Sequence, residues 1–200
     1  MSQDNRPAAQ ARLQPIPEHQ WTQAQRTAAA SMANTRRGAL RGPFMPLLYS
    51  PELLDRAQRL GEYLRYQSAL PEPLRELAIL ITARHWKQAY EWHVHAPIAE
   101  KSGLRRRLID ELGAGQRPGQ MDVRETAVYE FCTQLHQRHA VSNRVYAEAL
   151  TALDEQGIVD LCGICGYYGL LAMVMNVAQT ALPSGASAPF APSEPDQPTP

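Results

Sequence analysis

From Ile158 to Leu182 the chain is apolar on nearly every side of a helical turn, and this stretch limits the possible folds more than any other. A helix that is apolar all round must be covered all round, so it belongs at the centre of a bundle or at an interface. Its longest apolar run, Ile164 to Ala178, contains Asn176 and falls short of the roughly 20 residues needed to cross a membrane. The expectation is a chain with no membrane partner, whose other helices gather round this one.

Helical signals dominate elsewhere too. Ser50 followed by Pro51 reads as an N-cap and first-turn pair, and Leu53, Leu54, Ala57, Leu60 and Leu64 follow at helical spacing. Asp122 and Glu125 have the spacing of a capping box, ahead of an inner face of Val128, Phe131 and Leu135. Ser142 starts a helix from Val145 to Glu155, which Gly157 is expected to close. Gly42-Pro43-Phe44 reads as a loop. No segment sustains the period-two alternation of a strand. The pattern predicts one all-α domain over residues 16–182. Residues 1–15 and the Pro-rich segment 183–200 hold almost nothing to bury and read as disordered tails.

Composition narrows the function. Two hundred residues with 44% apolar side chains suffice for one core. Twenty basic residues against 20 acidic ones leave no surplus for neutralising phosphates, which argues against a nucleic-acid partner. Three cysteines, Cys132, Cys162 and Cys165, are too few for a disulfide scaffold. The polar start, MSQDNRPAAQARLQP, has no apolar signal segment. Together these lead to the expectation of a soluble, reduced, cytoplasmic protein acting on a small molecule.

The chemistry concentrates between Arg75 and Leu104. Leu77 to Ala83 is buried-helix material, and the following helix is read as carrying Gln88, Glu91 and His95 on one face, at i, i+3 and i+7. A carboxylate one turn before an imidazole can fix its tautomer and raise its basicity, giving an acid–base unit at neutral pH. Glu76, read as opening the preceding helix, reaches the same pocket if the two helices pack as a hairpin. His93 points away from His95, and His85 has no partner at useful spacing. Only Glu91 and His95 share a face, too few ligands for a metal site, so neither metal nor cofactor is expected.

The pattern RELAIL at 75–80, YEW at 90–92 and His95 resembles the helical hairpin of the carboxymuconolactone decarboxylase and AhpD-like superfamily. The resemblance extends to GPF at 42–44, SPEL at 50–53, LGEYLRY at 60–66 and GYYGLLAMVMN at 166–176, and covers roughly Trp21 to Leu182. It implies an AhpD-like helical bundle around a core hairpin, assembled as a homo-oligomer. It also implies a pocket with Glu76, Glu91 and His95 as catalytic residues, and Gln88, Trp92 and Tyr168 are candidates for substrate contact. The AhpD branch carries a CxxC pair in the hairpin; here Gln88 and Glu91 stand at those positions, and they cannot form a disulfide. The decarboxylase branch has a Glu four residues before the His, as Glu91 and His95 are. The resemblance therefore favours an acid–base enzyme, a decarboxylase, isomerase or hydrolase, acting on a small carboxylated or lactone-type molecule. Two alternatives stand beside it: a thiol redox protein using Cys162 and Cys165, and a non-catalytic oligomer that binds a small ligand. The Cys162-Gly-Ile-Cys165 pair lies inside an apolar helix and not at a helix N-terminus, where the dipole would activate a thiol, so it reads as buried packing.

Overall fold

In a computed structural model that describes residues 12–33, 35–36 and 38–191, the described residues form eight α-helices and no strand. In chain order these are α1 (Gln23–Ala33), α2 (Phe44–Leu47), α3 (Pro51–Tyr66), α4 (Glu72–His85), α5 (Ala89–Ser102), α6 (Arg106–Gly113), α7 (Val123–Arg138) and α8 (Asn143–Ala178). A short 3-10 turn, Glu18–Gln20, precedes them.

Ten consecutive residues of α4, Leu74 to Ala83, are buried, so this helix has no solvent face and forms the axis of the bundle. It packs on α5 as a hairpin and on α7 and α8 on its other sides. The face of α8 made by Leu161, Ile164, Tyr168, Leu171 and Met175 turns into the same core. The α4–α5 hairpin is thus held from behind by α8, and its pocket-facing side chains project from buried, rigid turns.

Local signals set several boundaries. At the start of α7 the Asp122 side chain accepts from the Glu125 amide and Glu125 accepts from the Asp122 amide, both at 2.8 Å. Ser142 caps α8 by accepting from the Val145 amide. Ser50 holds the N-cap position of α3 without a side-chain bond, and Pro51 supplies the first-turn geometry.

Four expectations need correction. The helix begun at Ser142 is not closed by Gly157: it breaks at Asp154 (φ 62°, ψ −179°), whose Oδ1 accepts from the Gly157 amide at 2.8 Å and so caps the next segment. Glycine's freedom is not needed there, because the aspartate provides both the break and the cap. With its continuation, α8 reaches 36 residues and is long and apolar enough to cross a membrane, yet 61% of its apolar window is buried in the bundle. Phe44 leaves the expected loop to begin the one-turn α2. Finally, part of the segment expected as a tail from residue 183 lies on the bundle. Phe190 meets Trp92 edge-on at 5.4 Å, and the Arg84 guanidinium sits 5.0 Å from its ring, because an aromatic ring among prolines is worth burying. Residues 1–11 and 192–200 of the expected tails lie outside the described residues.

Candidate active site

The hairpin delivers three ionisable side chains to one place. Glu76 projects from the second turn of α4, one turn deeper than the first-turn position expected, because that helix already begins at Glu72. Glu91 and His95 lie one turn apart on α5 and face inward together. All three are almost fully buried, at 1%, 3% and 5% exposure, which is unusual for charged groups without a purpose or a partner.

The partnership differs from the one expected. Glu76 Oε2, not Glu91, lies 2.7 Å from His95 Nδ1. That contact fixes the ring and leaves Nε2 as the second, chemically available nitrogen. The His95 ring is further held edge-on against Tyr168, with centroids 5.1 Å apart. Neither carboxyl oxygen of Glu91 has a hydrogen-bond partner. Burial without a compensating partner penalises the carboxylate form, and it pushes the Glu91 carboxyl well above the ordinary carboxylate range. Glu91 is therefore biased toward the neutral acid, a proton donor beside an imidazole already held by a second carboxylate.

Glu91 and His95 line a cavity of about 400 Å³, with Arg36, Arg41 and Arg65 among its other walls. Its apolar walls include Phe44, Leu171 and the ring of Tyr168. Sequence reasoning missed the three arginines. They lie on α3 and on the connection before α2, and only the GPF and LGEYLRY segments beside them hinted at involvement. Tyr90 closes one side. Gly42, in the left-handed region at φ 53°, lets that ring approach; a Cβ there would lie 2.5 Å from Tyr90 Cε1.

Two of the three expected substrate-contact residues are not in this cavity. Gln88 is the N-cap of α5, not part of its inward face. Its Oε1 accepts from the Tyr90 amide and its Nε2 donates to Asn176 Oδ1, both at 2.8 Å, so both ends of the amide are occupied. Trp92 lies on the other side of α5, where with His93, Pro97, Ile109 and Pro189 it lines a separate cavity of about 470 Å³. Tyr168 alone of the three lines the Glu91–His95 cavity. Asn176 of α8 donates to the Trp86 carbonyl at 2.9 Å and ties the α4–α5 turn to α8.

The cysteine motif also divides. Cys162 is exposed, whereas Cys165 is buried and meets Cys132 of α7, its sulfur 3.5 Å away. Cys165 is thus buried as expected, and Cys162 is not. His85, expected to be unpartnered, stacks on His136 of α7 with centroids 4.6 Å apart.

No match is found among curated proteins. Residues 51–130, from the start of α3 into α7 and including the whole hairpin, match the carboxymuconolactone decarboxylase family. The segment that carries Glu76, Glu91 and His95 is thus the matched segment, and the match supports the resemblance to the carboxymuconolactone decarboxylase-like superfamily.

Proposed function

We propose that the protein is an acid–base enzyme acting on a small carboxylated or lactone-type molecule, with His95 as base and Glu91 as acid. The observation that carries this reading is the 2.7 Å Glu76–His95 contact beside a buried, unpaired Glu91 at one cavity. Glu76 is a positioning residue: by accepting the Nδ1 proton it directs the lone pair of Nε2 toward the substrate and stabilises the imidazolium once formed. Burial biases Glu91 toward the protonated acid, and the imidazole held through Nδ1 takes the base role in the same cavity. Arg36, Arg41 and Arg65 supply positive charge for substrate carboxylates, and guanidinium groups suit the planar, bidentate geometry of that anion.

For a decarboxylation, the C–C bond to the departing carboxylate breaks and its electron pair moves into an adjacent carbonyl as an enolate. The proton that completes the product comes from neutral Glu91, which is later recharged from solvent. For an isomerisation, His95 removes the proton and Glu91 returns one elsewhere on the same skeleton. Both use a protonated carboxyl near an apolar wall, where proton transfer is not diverted to water.

The test is turnover of γ-lactones bearing one or two carboxylates, followed by carbon dioxide release and loss of lactone absorbance. His95→Gln and Glu76→Gln are expected to lower kcat by about 10²-fold or more. Arg65→Met is expected to act mainly on KM, since it removes a binding charge and no proton-transfer group. Turnover that survives His95→Gln at the wild-type rate rules this assignment out.

A further inference from the structure

Cys132, Cys165, His136 and Thr82 form a second cluster, where α4, α7 and α8 meet, that the acid–base pocket does not use. Cys132 and Thr82 are fully buried and Cys165 is 4% exposed, yet the two sulfurs are 3.5 Å apart and come from different helices. A disulfide needs about 2.05 Å, so an approach of about 1.5 Å would join them. His136 adjoins Cys165: its Nε2 is 3.0 Å from Thr82 Oγ1, and both of these side chains act on the Cys165 thiol. The other side of the His136 ring stacks on exposed His85, and both rings line a cavity of about 270 Å³. One imidazole thus connects a buried dithiol to a surface cavity wide enough for a small oxidant.

We infer that Cys132 and Cys165 are a peroxide-oxidisable dithiol, served by His136, that closes to a disulfide linking α7 to α8. Contact with Cys132, then with His136 and Thr82, draws the Cys165 thiol below its ordinary range against the effect of burial, whereas burial pushes Cys132 up. Cys165 is therefore the attacking sulfur. It displaces one oxygen of hydrogen peroxide; the O–O bond breaks, and the Cys165 proton travels through His136 to the leaving oxygen, which departs as water. The sulfenic acid left on Cys165 is attacked by the Cys132 sulfur; the S–O bond breaks and the hydroxyl leaves with the Cys132 proton as a second water. Two thiols lose two electrons and one peroxide becomes two waters. A dithiol reductant reverses the change.

The experiment uses the full chain carrying Cys162→Ala, which removes the exposed thiol and leaves only the pair. The reduced protein is treated with hydrogen peroxide, denatured, alkylated and weighed, and its peptides are mapped without reduction. The expected result is loss of both alkylation sites, a Cys132–Cys165 linked peptide within one chain, and recovery of both sites with dithiothreitol. In Cys132→Ala the sulfenic acid on Cys165 is expected to persist long enough for capture by a cyclic diketone. His136→Asn is expected to slow disulfide formation at least about tenfold. The inference is overturned if both thiols stay alkylatable after peroxide, if the links join separate chains, or if oxidation ends in sulfinic acid without a disulfide.

Discussion

Glu91 is where the site's chemistry is most exposed to a single substitution. A carboxyl with a raised folded-state pKa binds its proton more tightly when folded than when unfolded, so its ionisation works against the fold. The destabilisation is absent below the unfolded carboxyl value of about 4.3 and grows as pH rises from there toward the folded value. Glu91→Gln keeps the shape and removes the ionisation. The wild type is therefore expected to lose stability relative to Glu91→Gln as pH increases, by at most about 1.4 kcal/mol per pH unit. Denaturant midpoints of both proteins across the acid-to-neutral range check this, and parallel curves would mean that Glu91 is not buried as a neutral acid. The sequence pattern shows that Glu91 and His95 share a face, because one helical turn relates them. It does not show that Glu76 holds the imidazole, since that contact spans 19 residues and depends on how α4 docks on α5. Gln88 falls outside the inward face for a related reason: it is the N-cap itself, one residue before the first helical position, where the backbone is still extended.

At the scale of elements, α8 shows what local patterns reveal and what they conceal. Its apolar character and its start at Ser142 are legible because caps and periodicity are properties of neighbouring residues. The break at Asp154 is harder to foresee, since a nearby glycine is the more usual terminator and aspartate visits positive φ less readily. The role of Asn176 is illegible from the sequence, as its partners lie 88 and 90 residues earlier. Those bonds anchor the turn between the two hairpin helices to the central helix, so Asn176 governs the site's geometry without lining it. Asn176→Ala leaves the Trp86 carbonyl and the Gln88 amide without this partner. It is expected to cost about 1–3 kcal/mol in thermal or denaturant unfolding. It is also expected to lower kcat by loosening the N-terminus of α5, which carries Glu91. Unchanged stability would show that the turn is held by other contacts.

For the whole molecule, the open question is what covers the second face of α8. Val159, Cys162, Gly166, Met173 and Val177 are exposed, and with half-buried Leu170 they follow each other at intervals of three or four residues. This makes one continuous stripe down the helix, opposite the face packed on α4. Val159 is 69% exposed, Val177 59% and Met173 43%, which is costly for apolar side chains gathered in one row. Gly166 adds a point of close approach, because no atom lies within 4 Å of where a Cβ would be. We propose that a second copy covers this stripe as part of a homo-oligomer, since a symmetric pairing lays the same row against itself and leaves no apolar edge. A stable assembly of this kind buries on the order of 2,000 Å², so exposed Leu53, Leu60 and Tyr63 on α3, which packs beside α8, are expected to join it. Static light scattering at micromolar concentration is then expected to give a multiple of 22.3 kDa. Replacing Met173 and Val177 together by glutamate puts unpaired charge at the C-terminal end of the stripe and is expected to return the mass to one chain with helix content intact. A wild-type mass of a single chain, or a double variant that stays assembled, would place the interface elsewhere.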